Sequence, residues 1–183
     1  MLRRKTGRVT DTEWLTTNAD YAREIVRFTR EKATSEEHAD LLALADILTP
    51  NETEFAALLA RHAGQSVNPD TLARSDDDAL HALCQSVQAT TWVITLGGEG
   101  AFVSHACPGQ RGDTAVCYRV PAAPARVVDT TGAGDAFSGA LAAALAANDP
   151  GSFAEAVAFA SRYAALSTET AGAALSMPRL RAR

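Results

Sequence analysis

Residues 127–145 read VVDTTGAGDAFSGALAAAL, and the architecture of the whole chain turns on them. Val127 and Val128 are a β-branched pair with the composition of a short buried strand. Thr130 and Thr131 follow, then Gly132-Ala133-Gly134. From Asp135 onward Ala136, Ala140, Leu141, Ala144 and Leu145 recur at helical spacing. The local expectation is strand, glycine turn, helix. Glycines let the backbone take positive φ and let a ligand approach the main chain. The first N–H groups of a helix lack internal partners and carry the positive end of its dipole, so such a terminus receives anions, most often phosphate. Asp135 puts a carboxylate at that same terminus. A base beside a cradle for developing negative charge is an arrangement for chemistry.

Two better-known glycine motifs do not fit. A Walker loop needs Gly-Lys-Ser/Thr, but this stretch has no lysine, and the chain carries only Lys5 and Lys32. A dinucleotide fingerprint, G-x-G-x-x-G, meets Phe137 where its third glycine belongs. On the turn alone, packing a helix against a strand and cradling an anion stay equally open.

Composition narrows the class. The 183 residues are enough for one domain with a sizeable core, and 46% hydrophobic and 21% charged content are ordinary for a globular protein. A net charge of −5 and a pI near 5.3 argue against general nucleic-acid binding, because no basic stripe neutralises a phosphate backbone. No apolar run reaches membrane-spanning length. The basic start, MLRRKTGRVTDTEW, has no apolar run behind it and is not a secretory signal. Cys84, Cys107 and Cys117 lack metal-type spacing and read as free thiols of a cytoplasmic protein.

In chain order, Asn18 caps an expected helix to about Ala33, with Tyr21, Ile25 and Phe28 on its apolar side. Residues 1–34 are read as a helical extension and 35–183 as the main domain. Asp46 to Thr49 reads as a short strand stopped by Pro50. Asn51-Glu52-Thr53-Glu54 then opens a helix through His62, with its acids in the first turn. Asn68-Pro69-Asp70 reads as a turn, and Asp76 to Val87 as a surface helix with Leu80, Leu83, Cys84 and Val87 inward. Trp92 to Leu96 is a buried strand by composition. Gly97-Gly98-Glu99-Gly100 turns it into Ala101-Phe102-Val103, a hairpin. Val116 to Val120 is a further strand. Ser152-x-x-Glu155 is a capping box that opens a helix to about Ser167. Strands alternating with helices predict an α/β sheet covered by helices on both faces. His38, His62, His81 and His105 are scattered and read as surface or structural residues.

The string DTTGAGDAFSGAL resembles the C-terminal signature of the ribokinase-like (PfkB) family of sugar and nucleoside kinases. The resemblance runs from about Leu41 to Pro178. It implies the C-terminal half of a ribokinase-like fold and ATP-dependent phosphoryl transfer to a sugar hydroxyl. By resemblance Asp135 is the catalytic base, and the amides of Gly132, Ala133 and Gly134 form the anion hole. ADILTPNETE looks like the family's N-x-x-E segment, so Asn51 is implied at the phosphates and Glu54 at magnesium through water, as hard oxygen ligands suit that ion. As plain chemistry, NETE also serves as a helix start. TLGGEGAFV is similar to the nucleotide-contacting strand and turn, which implies Thr95, Gly97 and Gly100 at ATP; an ordinary glycine hairpin is the other reading. STETAGAALSMP resembles the closing loop of the adenine pocket and a monovalent-cation site. Asp129, Thr131, Gly172 and Ser176 are then the potassium positions. Ser161 falls where relatives often carry asparagine or histidine beside the adenine.

Family members carry their sugar-binding residues, a Gly-Gly substrate motif and a strand lid in an N-terminal half, and residues 1–40 show none of these. The expectation is a phosphate-and-nucleotide half without its substrate half, with ribose as the favoured sugar. A truncated sugar kinase is preferred. A half-enzyme completed by a partner chain or a homodimer, and a non-catalytic nucleotide-binding protein, are the alternatives. An uncovered edge of a parallel sheet would favour association.

Overall fold

The computed structural model describes residues 45–87, 91–146, 152–173 and 176–178. All of them lie within one unit, Leu42–Arg183. The helix expected over 18–33 and the domain boundary after residue 34 lie outside the described residues.

The elements are α1 (Glu52–His62), α2 (Pro69–Leu72), α3 (Asp77–Gln85), β1 (Thr91–Thr95), β2 (Ala101–His105), β3 (Cys117–Val120), α4 (Ala133–Leu145) and α5 (Phe153–Ser167). The sheet has the order β1-β2-β3, with both pairings antiparallel. Thr95 faces Ala101 across the hairpin, and Ala101 faces Val120 on the next strand. The strands of this sheet are therefore not the parallel set assumed in the expectation of an open edge.

Period-two alternation divides the sheet residues between two cores. Val93, Ala101, Val103 and Val120 pack with Phe137, Ala140 and Leu141 of α4 and Phe153, Ala156, Val157 and Ala160 of α5. Trp92, Ile94 and Phe102 pack on the other face with Phe55 and Leu59 of α1, Leu72 of α2, and Leu80 and Cys84 of α3. The rings of Phe55 and Trp92 meet edge to face at 5.2 Å. Helices thus cover both faces, as expected for the α/β class. Each fully buried aliphatic or aromatic side chain contributes about 1.5–3 kcal/mol.

Local chemistry sets the ends of the helices. Asn51 caps α1 and Ser152 caps α5, each in a reciprocal capping box with the acid three residues on. Asp76 caps α3. Asn68-Pro69-Asp70, expected as a turn, is the capped start of α2, because proline at the first helical position suits a one-turn helix.

Two expected strands do not form. Val127 and Val128 are 63% and 59% exposed and belong to no strand. Their β-branched composition lacks a neighbouring strand to pair with. The Val128 N–H instead donates to the carbonyl of Thr168 at 2.8 Å. Asp46 to Thr49 also falls short of a strand. Its contact with β1 is limited to isolated parallel bridges, Leu48 to Trp92 and Asn51 to Thr95. Pro50 has no N–H to continue the ladder, although its carbonyl still accepts from Thr95 N at 2.9 Å.

Side-chain networks brace the sheet away from α4. Arg119 of β3 donates from Nε to Asp77 at 2.6 Å, from Nη1 to the Ala73 carbonyl at 2.8 Å and from Nη2 to the Ser75 carbonyl at 2.7 Å. His105 is fully buried. Its Nδ1 shares a hydrogen bond with Thr91 Oγ1, and its Nε2 lies 2.9 Å from Asp113 Oδ2, which also accepts from the Tyr118 hydroxyl. The Thr-His-Asp order looks catalytic, but Thr91 and His105 have no exposed surface, so the network serves to hold the 106–116 loop. His81 bonds to Ser104 across the α3–sheet contact. Both histidines are structural.

Candidate active site

A cleft of about 830 Å³ opens where α1 and α4 begin. From the start of α1 it is lined by Asn51, Glu52 and Thr53, and from the start of α4 by Ala133 and Gly134. Both helices thus point their positive dipole ends at one space, although Ala133 N donates to the Thr130 carbonyl at 3.1 Å and Glu54 N to Asn51 Oδ1 at 2.9 Å. The hairpin adds Thr95, Gly97, Gly98 and Gly100. Ala122, Ala123, Pro124 and Ala125, from the extended segment after β3, make an apolar wall. Ser161, Ala164, Ala165 and Thr168 of α5 and its end close another side. The volume lies in the range of small-molecule sites, and small apolar walls with a few polar groups suit a planar base carrying anionic groups.

Of the residues expected at the site, Asn51, Thr95, Gly97, Gly100, Ala133, Gly134 and Ser161 line this one cleft. Asp135 is exposed in the first turn of α4, directly after the lining residue Gly134. Gly132 has φ of +83°, the left-handed conformation that turns the chain into α4. A Cβ there would stand 3.1 Å from Ala173 Cβ, so the glycine also lets the closing loop pack against the turn. Gly134 has neither constraint: a Cβ on it would meet nothing within 4 Å.

Glu54 lies outside the lining. Its Oε2 accepts from Asn51 N at 3.1 Å, while Asn51 Oδ1 accepts from Glu54 N at 2.9 Å. The capping role that the NETE residues support as plain chemistry is therefore formed. Thr49 Oγ1 and Ser138 Oγ share a hydrogen bond of 3.0 Å, tying the segment before Asn51 to α4.

The residues assigned to potassium are brought together only in part. Asp129 Oδ2 accepts from Gly172 N and Oδ1 from Thr131 N, both at 2.9 Å. The Gly172 amide bond first, and the Thr131 bonds next, hold the Asp129 carboxyl down at about 2, well below its ordinary value. Ser176 is buried and gives its hydroxyl to the Ala173 carbonyl at 2.7 Å. Among the described residues no group of three or more His, Cys, Asp or Glu side chains forms a metal cluster. No described helix is long and apolar enough to cross a membrane.

Sequence reasoning missed Glu52, Thr53, Gly98, the Ala122–Ala125 wall, Thr130 and Thr168 as lining residues. The signals were faint: Glu52 and Glu54 are interchangeable as first-turn acids, and only Pro121 and Pro124 mark the wall as irregular backbone.

Over residues 7–180 the sequence matches the pfkB family of carbohydrate kinases. The chain belongs to the pfkB family. Its relatives include the ribokinase of Schizosaccharomyces pombe, 35% identical over 141 residues, which are 77% of this chain and 40% of that protein. Among solved structures, the ribokinase of Arabidopsis thaliana complexed with ribose and ATP is 29% identical, with a TM-score of 0.59 over 76% of this chain and 40% of that one. The aminoimidazole riboside kinase of Salmonella enterica, complexed with aminoimidazole riboside and an ATP analogue, is 31% identical, with a TM-score of 0.55 over 76% of this chain and 41% of that one. This pfkB-family chain thus spans between 23% and 41% of the length of the curated relatives compared with it.

Proposed function

We propose that this chain forms the nucleotide- and phosphate-handling part of a magnesium-dependent sugar kinase, with ATP as donor and ribose or a related sugar as acceptor. The observation that carries the reading is the convergence of residues from separate motifs, Asn51, Thr95, Gly97, Gly134 and Ser161, on a single cleft. Asp135 accepts the proton of the attacking sugar hydroxyl. The amides of Gly132, Ala133 and Gly134 donate to the transferring group. Transfer of this kind needs positioning and charge neutralisation more than covalent chemistry.

Two helix N-termini, hydroxyls and an Asn carboxamide in a cleft of about 830 Å³ fit a nucleotide. Magnesium, when bound, neutralises phosphate charge; Asn51 and Glu54 organise it, and the Glu54 oxygen not engaged in the cap is the one free for a bound water. A potassium ion beside the anion-hole turn would draw on Asp129, Thr131, Gly172 and Ser176. The sugar-binding residues belong to the portion of the relatives that this chain does not span, as in a partial form of a sugar kinase, with a partner chain or second copy as the alternative source. A nucleotide-binding protein without transfer is the second reading.

Calorimetry with ATP and magnesium tests the site, and a coupled assay with ribose tests the transfer. Asp135→Asn is expected to keep ATP binding and lose about 10²–10⁴ of any transfer rate. Near-normal turnover in that variant removes the base assignment. ATP binding without transfer, alone or with candidate partners, selects the second reading.

A further inference from the structure

Glu52 is the one titratable side chain among the described residues that line the cleft; no described lysine, arginine or histidine lines it. It is the first residue of α1, and its role differs from that of its neighbour in NETE. Glu54 is folded back onto the cap at 3.1 Å from Asn51 N. The Glu52 carboxylate turns the other way: its Oε1 comes within 4.0 Å of the point where a Cβ on Gly97 would stand.

A polyanion in this cleft meets two kinds of charge. The helix ends at Asn51 and Gly132 offer roughly half a positive charge each. Glu52 offers a full negative one inside the lining, and Asp135 and Glu54 stand next to lining residues. A bare polyphosphate is repelled by the Glu52 carboxylate with no described side-chain cation in the lining to offset it. A polyphosphate that brings its own divalent cation carries less negative charge and is repelled less by the same carboxylate. We infer that Glu52 sets the nucleotide form the cleft accepts, excluding the metal-free polyanion and admitting the metal complex. This rests on the nucleotide reading above and adds a specificity residue to it.

Binding of ATP is measured by calorimetry at pH 7, once with excess magnesium and once with a chelator, on the wild-type chain and on three variants. Metal-free ATP differs from its magnesium complex by two charges, which at several ångströms from one carboxylate in a solvated cleft corresponds to about 3–10-fold in affinity. Glu52→Gln is expected to bind metal-free ATP about 3–10-fold more tightly, with the complex changed by less than about twofold. Glu52→Asp, which keeps the charge, keeps the wild-type ratio. Glu99→Gln removes an exposed carboxylate from the neighbouring turn, outside the lining, and leaves both affinities unchanged. Circular dichroism melts confirm that each variant is folded. A wild-type chain that binds the magnesium complex, with the same ratio in Glu52→Gln, overturns the inference and spares the nucleotide reading. Loss of affinity for the complex alone in Glu52→Gln makes the residue a cation ligand and also overturns it. A wild-type chain that binds neither form overturns the nucleotide reading itself.

Discussion

Gly100→Ala is expected to be among the most damaging single-methyl additions in the described residues. Gly100 follows the one-turn 3-10 helix of the hairpin with φ of +95° and ψ of −128°, a region nearly closed to residues with a side chain. Holding alanine there costs about 1–3 kcal/mol. The added Cβ also has no room: it would stand 2.1 Å from the Val120 carbonyl oxygen, 2.6 Å from Ala122 N and 2.7 Å from Pro121 C. All three are backbone atoms, and ordinary contact begins at 3.4 Å. Relief requires the end of β3 and the start of the cleft wall to move together, an overpacking cost of about 1–3 kcal/mol more. The combined loss of about 2–6 kcal/mol is a large share of the 5–15 kcal/mol that holds a typical domain. Urea titration reads it directly. With a slope of about 2 kcal/mol per molar, the midpoint falls by about 1 M or more. Two controls separate the contributions. Gly98→Ala adds a methyl that meets nothing within 4 Å and needs no left-handed backbone, so its midpoint stays put. Gly64→Ala pays for a φ of +65° alone, since its methyl also meets nothing, and should cost about 1 kcal/mol. A Gly100→Ala midpoint no lower than that of Gly64→Ala would refute the clash argument.

Other outcomes follow from the same geometry. Gly134→Ala puts a better helix former in the first turn of α4 with open space around it, so the melt stays level or rises by up to about 1 kcal/mol, while calorimetry shows weaker ATP binding; unchanged binding would show that no ligand approaches this backbone. Arg119→Lys keeps the charge but loses the fork that reaches Asp77 and two carbonyls, and should cost about 1–2 kcal/mol given the partial exposure of the ion pair; wild-type stability in urea would mean the carbonyl bonds add nothing. The Asp129 carboxyl should titrate near 2 by carbon NMR rather than at its ordinary 3.8. Because the folded value is depressed, the stability it contributes is present above about pH 4 and fades as pH falls toward 2, so the gap between wild type and Asp129→Ala closes over that window; a midpoint at the ordinary value removes the Gly172 tether.

What was legible in the sequence was what neighbouring residues decide among themselves. Asn51 with Glu54, and Ser152 with Glu155, are capping boxes whose partners sit three residues apart, and both form. The Trp92 hairpin was legible because alternation and a glycine turn are local. Val127 and Val128 misled because a strand needs an edge to pair with, and composition does not say where an edge is. Glu52 escaped notice because orientation around a helix start depends on what lies beyond it, here the turn at Gly97. Gly100 was placed at the nucleotide, and it does line the cleft, but the demand for glycine comes from the backbone of Val120 to Ala122. The His105–Asp113 network was invisible, since the loop of residues 106–112, with its 3-10 turn at Gln110–Gly112, returns the carboxylate to the ring.

The wall made by Ala122, Ala123, Pro124 and Ala125 carries a consequence for engineering. This segment lies outside the strands and helices and follows the last ladder pair at Val120. Side chains at 122, 123 and 125 can therefore be exchanged without breaking a sheet pairing or changing the two cores. A combinatorial library confined to those positions would reshape the cavity while the scaffold stays constant, which makes the wall the natural place to alter the shape of the cleft.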